Sequence, residues 1–166
     1  DNWGTPDPWY ASKVAATIEV APTKGDDIES FSIWFSNLHN NGGTLNIGWA
    51  DTRVALPFVV PTVAKATASI EKALKKDPKH RDYYSSAVYY LQEGQDLNQA
   101  KAWMEKAIEG KDDAYWYFRQ YSLILEGLKD VDGAIAAAKT SLALAEKAGN
   151  PDYVRMNKAS IAEWSK

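Results

Sequence analysis

Two stretches of this chain, Tyr83–Glu109 and Tyr117–Ala143, align at a fixed offset of 34 residues. Tyr83 falls on Tyr117, Leu91 on Leu125, Asp96 on Asp130, Ala100 on Ala134 and Ile108 on Leu142. A period of that length with apolar residues at helical spacing inside it marks a stacked array of helix–turn–helix units, each of which must bury its apolar face against a neighbour. Turn chemistry falls at Glu93-Gly94-Gln95-Asp96 and at Gly127-Leu128-Lys129-Asp130. Small residues recur seven apart, at Ala100/Ala107 and Ala134/Ser141, where two helices have to approach closely. Bulky residues at Tyr84, Leu91, Phe118 and Leu125 are expected to fill the space between them.

The composition changes near Pro61. Residues 1–60 hold four of the seven Trp, three basic and seven acidic side chains, against sixteen basic and fifteen acidic in residues 61–166. This places a β-rich segment at 1–60, an incomplete domain, before a helical domain at 61–166. Residues 1–12 are punctuated by Gly4, Pro6 and Pro8 and read as an irregular loop carrying Trp3, Trp9 and Tyr10. Four apolar alternations follow: Val14–Val20, Phe31–Phe35, Leu45–Trp49 and Val54–Val60. Thr23–Asp27 and Asn40-Asn41-Gly42-Gly43 are the turns between the first three. The third run is apolar at odd positions and the fourth at even ones, so the backbone must break phase near Ala50–Thr52, by a bulge or a corner. The expectation is a partial antiparallel sheet of about four strands, the tail of a β-sandwich-like domain.

Pro61 opens a helix over 61–77 that carries Val63, Ala66, Ile70, Ala73 and Leu74 on one stripe and ends at Asp77-Pro78. This helix is expected to dock the sheet to the repeats at 83–148. Residues 151–164, with Tyr153, Met156, Ile161 and Trp164 on one stripe, form a closing helix. The fold class is therefore α+β, a sheet followed by about six helices.

The repeat segment resembles the tetratricopeptide repeat through its small residues seven apart. It departs from that pattern at Val88, and the Pro that ends a repeat is displaced to Pro151. Over nearly the whole chain, the run TLNIGWADTRVALPFVV, the Ala/Lys helix, the two repeats and DYVRMNKASIAEWSK are similar to the C-terminal portion of the bacterial domain of unknown function 2911 family. That resemblance implies an exported protein, periplasmic or extracellular, with a β domain ahead of tetratricopeptide-like helices. It implies no activity. The chain opens without Met or a leader, which suggests a processed piece of a longer protein.

Chemistry-bearing constellations are sparse. A net charge of −3 argues against a nucleic-acid partner, and no apolar run has the roughly 20 residues of a membrane helix. With no Cys, thiolate metal sites, disulfides and a Cys nucleophile are excluded. His39 and His80 stand beside different turns without a second ligand at metal spacing. Asp26-Asp27 reads as turn chemistry, and Asp112-Asp113 as a cap for the following helix. No cofactor motif occurs, so no cofactor, metal or catalytic residue is assigned. In tetratricopeptide arrays the first helix of each unit lines a concave face, and that register places Ser85, Tyr89, Gln92, Trp116, Arg119 and Leu123 in a candidate groove for a protein or peptide partner. Packing of the same face on the β part is the alternative. The leading functional reading is a non-enzymatic interaction or structural scaffold. A glycan-binding module using Trp3, Trp9, Trp34 or Trp49, and an enzyme whose site is completed by further N-terminal strands, are the other two.

Overall fold

A computed structural model describes residues 10–111 and 113–166. The chain divides into two compact units, Asp1–Thr62 and Val63–Lys166. In the first, a 3-10 turn at Ala11–Lys13 is followed by an antiparallel sheet of two strands, β1 (Thr23–His39) and β2 (Gly42–Val59). Six helices follow, so the chain is α+β with the sheet first. Among the described residues the sheet has two strands where about four were expected. Val14–Val20 is irregular backbone with Ile18 61% exposed, because alternation specifies a strand only where a neighbour takes up its N–H and C=O groups. The runs Leu45–Trp49 and Val54–Val60 belong to the single element β2. Thr23–Asp27 is no connection between strands either. It lies inside β1, where the register against β2 slips between Lys24 and Ile28.

β2 is nevertheless sharply bent. A straight strand of 18 residues would hold its ends roughly 55 Å apart. Here a Cβ added to Gly42 would stand 2.2 Å from the Phe58 carbonyl oxygen, and the Val60 N–H donates to the Asn41 carbonyl at 2.8 Å. β2 therefore doubles back, and the bend is at Ala50, which adopts φ +47°. The Arg53 guanidinium holds the corner by donating to the carbonyls of Ala50 (2.8 Å), Thr52 (2.9 Å) and Asp26. A reversal between residues 50 and 51 sets odd positions opposite even ones, which is the phase change seen in the sequence.

The two faces of the sheet differ. Ile33 pairs with Ile47 and Phe35 with Leu45. The Phe58 ring meets Phe35 edge-on at 5.8 Å beside Gly43, where a Cβ would come within 3.2 Å of the Phe58 ring. Phe31, Ile33, Phe35 and Trp49 on this apolar face remain exposed. On the other face Asn46 Nδ2 donates to Ser36 Oγ at 2.8 Å, and the Trp34 ring and Arg53 side chain converge over Gly48.

The helices of the second unit are α1 (Thr62–Leu74), α2 (His80–Gln92), α3 (Leu97–Ile108), α4 (Tyr115–Gly127), α5 (Val131–Lys147) and α6 (Pro151–Trp164). From α2 onward each packs on the next, and α4 also touches α2 and α6. Ala100, Met104 and Ala107 of α3 and their 34-residue counterparts Ala134, Ala138 and Ser141 of α5 are all fully buried. Five of these six are small, and several larger rings lie at the rim. Tyr84 stacks on Tyr117 with centroids 4.1 Å apart and planes at 9°, and Tyr90 sets its edge on Trp103 at 4.7 Å.

Helix starts follow capping chemistry. Asp96 accepts from the N–H groups of Asn98 (2.9 Å) and Gln99 (3.3 Å), Asp130 from that of Gly133 (3.0 Å), and Asn150 from that of Tyr153 (3.2 Å). The cap expected from Asp112-Asp113 is not formed by Asp113. Ala114 occupies the N-cap of α4 without a side-chain bond, and Asp113 instead offers its backbone carbonyl to the Tyr115 N–H at 3.0 Å. Asp112 lies outside the described residues. No helix among the described residues is long and apolar enough to cross a membrane.

α6 closes the stack through polar groups. Tyr153, Met156, Ile161 and Trp164 are half-buried, while Asn157 and Ser160 are its buried residues. Asn157 Nδ2 donates to Ser141 Oγ at 2.8 Å, and that hydroxyl donates to the Tyr115 carbonyl at 2.7 Å. One chain of bonds thus joins α6, α5 and α4. Asn157→Ala removes the donor inside the core and is expected to cost about 1 kcal/mol or slightly more. Asp96→Ala and Asp130→Ala each remove a cap and are expected to cost about 1 kcal/mol. Urea denaturation of the three variants, with an unchanged slope, checks these values.

Candidate functional site

The six residues of the candidate groove fall into two groups. Ser85 and Tyr89 stand one turn apart on α2, with Asp82 and Ser86 beside them. Across from them run Ala66, Ser69, Ile70 and Ala73 of α1. Among the described residues no Cα of α1 lies within 8 Å of a Cα of another element. A cleft of about 260 Å³ remains between α1 and α2. Tyr89 lines this cleft, and its Oη is buried without a hydrogen-bond partner in the protein. Desolvation raises its pKa, and the charges of Glu93 and Tyr90 add to the effect. Gln92 is exposed at the end of α2.

Trp116, Arg119 and Leu123 belong to α4. Trp116 is 37% exposed, with its ring edge-on to Tyr115 at 4.9 Å and to Tyr117 at 5.8 Å. Tyr117 in turn stacks on Tyr84, so a series of rings ties this group back to α2. Tyr115 also meets Tyr153 of α6 at 4.8 Å and accepts at its hydroxyl from Asn150 Nδ2 at 3.1 Å. Leu123 is half-buried.

Arg119 is the unusual member. Its Nη1 donates to Ser160 Oγ of α6 at 2.9 Å. The residue is half-buried, and that burial depresses its pKa, though a guanidinium does not lose its proton in a protein. Among the described residues no carboxylate stands within 4.0 Å of it. A partly desolvated cation therefore has a neutral hydroxyl for company, next to an exposed indole one turn away.

Ser85, Tyr89 and Gln92 lie on α2, and Trp116, Arg119 and Leu123 on α4, the first helix of each matched segment. What faces them is not legible in the helical register: α1 across the cleft for the first group, and Ser160 with Tyr153 of α6 for the second. Small polar residues such as Ser160 carry no periodic signal that could have revealed them.

The remaining candidates are dispersed. His39 accepts at Nδ1 from the Asn41 N–H at 3.3 Å within the tip of the hairpin. His80 Nδ1 lies 3.2 Å from the carbonyls of both Lys106 and Ala107, which makes it the protonated nitrogen, donating to the end of α3. Among the described residues no three of His, Cys, Asp and Glu gather as a metal site. Trp34 and Trp49 lie on opposite faces of the sheet and cannot form one stacking platform, and Trp3 and Trp9 fall outside the described residues.

Comparison of the chain with profiles of known families, with curated proteins and with solved structures returns no match.

One tyrosine gives a direct test of this packing. Tyr121 Oη donates to Glu105 Oε1 at 2.9 Å, linking α4 to α3. Burial first, then that bond and the charges of Glu105 and Asp130, push its pKa up to about 12. Because the folded pKa exceeds the unfolded value of about 10, the stabilisation is complete below about pH 10 and is lost as pH rises through about 12. Subtracting the 295 nm absorbance titration of Tyr121→Phe from that of the wild type should yield a single phenol ionising near the upper value. The variant should also lose less stability than the wild type across that range.

Proposed function

We propose that this chain is a non-enzymatic exported protein whose helical unit acts as a tetratricopeptide-like interaction scaffold, engaging a carboxylate-bearing peptide or protein segment at Trp116 and Arg119. The observation that carries the reading is Arg119. A guanidinium has five N–H donors in a planar fork suited to bidentate pairing with a carboxylate. This one is half-buried, bonded to the Ser160 hydroxyl and unneutralised among the described residues. An Asp or Glu side chain, or a chain terminus, would complete it. The exposed Trp116 ring alongside offers apolar area, and Trp and Arg are the residue types that dominate binding hot spots.

Assignment to the domain of unknown function 2911 family belongs to the same proposal, and with it a periplasmic or extracellular location. It is supported by the order of elements, a sheet, a connecting helix, two helical hairpins and a closing helix, and by buried small residues recurring at 34. Reading the sheet as the tail of a β-sandwich-like domain is supported by the exposed face of Phe31, Ile33, Phe35 and Trp49, which a second sheet would bury. The glycan-binding reading has weaker support, since Trp34 and Trp49 point to opposite sides.

The test is a peptide array in which every sequence carries either a free or an amidated C-terminus. Acidic and free-terminus peptides should bind the wild type, and Trp116→Ala with Arg119→Ala should lower their affinity at least tenfold while helical circular dichroism is retained. Arg119→Lys should recover only part of it, because an ammonium cannot pair through a fork. Binding that ignores both substitutions, or a double variant that unfolds, would sink the proposal.

A further inference from the structure

Of the surfaces on this molecule, the seam between α1 and α2 is the one whose occupant is already in place. Four observations distinguish α1 from the other helices. It has an apolar stripe, Val63, Ala66, Ile70 and Leu74, half-buried, yet none of its residues is fully buried. Its axis stands off: no Cα of it comes within 8 Å of another element among the described residues. The seat is underfilled, leaving about 260 Å³ between Ala66, Ser69, Ile70 and Ala73 on one side and Asp82, Ser85, Ser86 and Tyr89 on the other. Tyr89, which lines the seam, has a buried hydroxyl without a partner in the protein.

The link to α2 is built as a hinge. Asp77 takes φ +49°, a left-handed conformation uncommon outside Gly, Asn and Asp, immediately before Pro78. Pro78 fixes its own φ and bars the helical region to the residue before it, so α1 cannot run on into α2. An exposed ion pair, Lys79 Nζ to Asp77 Oδ2 at 2.6 Å, is the contact across this turn. Such a pair is weak and screened by salt.

From these we infer that α1 is a displaceable internal ligand of a helix-binding face on α2. The partner that takes its place is an amphipathic helix of α1's own chemistry, with small apolar side chains on one face and lysines on the other. The occupant itself is the argument for this choice. The Ser85/Tyr89 face stands across the cleft from a helix that turns Ala66, Ser69, Ile70 and Ala73 toward it, with Lys65 and Lys72 exposed. A trans helix with one bulkier residue opposite Tyr89, or with an acceptor for its hydroxyl, fits the seat better than α1 does. The occluded state is then the resting one, and a ligand must outcompete a tethered helix. This rests on reading the helical unit as an interaction scaffold, but at a different face from Trp116 and Arg119.

The test uses the full chain and a fluorescein-labelled synthetic peptide with the sequence of residues 62–76. Ile70→Asp places a charge in the seam and should release α1. The peptide is expected to bind this variant at least tenfold more tightly than the wild type, and adding Tyr89→Ala should abolish that gain. Adding Trp116→Ala and Arg119→Ala should leave the gain intact, so failure at the carboxylate site would be told apart from failure here. In the wild type, hydrogen exchange should be faster in α1 than in α4 and α5. Ala66→Glu is the second variant, in case Ile70→Asp unfolds the unit. Equal affinity for wild type and variants, no binding to a variant that keeps wild-type helicity, or unfolding of α2–α6 by both substitutions would each overturn the inference.

Discussion

The close approach of helices at Ala100, Ala107, Ala134 and Ser141 is the condition on which the helical unit depends. Each of these side chains is fully buried, and none carries enough volume to hold two helices apart. Axes can then come near the lower limit for packed helices, roughly 8 Å. Where axes are that close, most large rings lie outside the contact, Tyr117 being the one buried with these residues among those described. Tyr84, Tyr90, Trp103, Tyr115 and Trp116 are accordingly displaced to the rim, where they stack on one another and keep part of their surface in water. The aromatic face and the small-residue core have one cause. A face of half-buried rings held by a rigid scaffold is also what a binding surface requires, since rings bring contact area at little entropic cost.

In the sheet, the decisive constraint is the reversal at Ala50. Its consequence was legible as a shift of apolar residues from odd to even positions after Trp49. The sign of that consequence was not. A bulge, a corner and a two-residue turn all exchange odd for even, and choosing between them needs the contact of Gly42 with Phe58, which no local pattern encodes. The reading of Val14–Val20 as a strand failed for a related reason. Alternation reports that a segment suits a pleated surface, and the neighbouring strand that would use it is a separate matter.

The candidate site divides along the same line. Helical period placed Ser85 and Tyr89 on one helix and Trp116 and Arg119 on another, because 3.6-residue spacing is a property of the segment itself. The partners across each interface were hidden. Ser160 and Asn157 of α6 were passed over in favour of Tyr153, Met156, Ile161 and Trp164, since a search for an apolar stripe ranks polar side chains last. In the structure it is Asn157 that reaches Ser141, and Ser160 that accepts from Arg119. Position 157 tolerates a polar group only because a hydroxyl waits 2.8 Å away on a helix 16 residues earlier. That complementarity is tertiary.

Local consistency holds through most of this unit: caps sit at helix starts, small residues at crossings, charges outside. Among the described residues the exceptions are Tyr89, whose buried hydroxyl is unpaired, Asn157, whose buried Oδ1 is unpaired, and Arg119, whose half-buried charge meets a neutral acceptor. Each lowers stability relative to an apolar or fully paired substitute of similar size. Tyr89 and Arg119 lie on first helices of the paired segments, and each faces a helix outside those pairs, α1 in one case and α6 in the other. A scaffold optimised for stability alone would have replaced them. Departures from an otherwise consistent pattern are expected where a surface is shaped for something other than its own fold. By that criterion the flanking helices are the parts that tune access: α6 orients Arg119 through Ser160, and α1 covers Tyr89 loosely enough to leave.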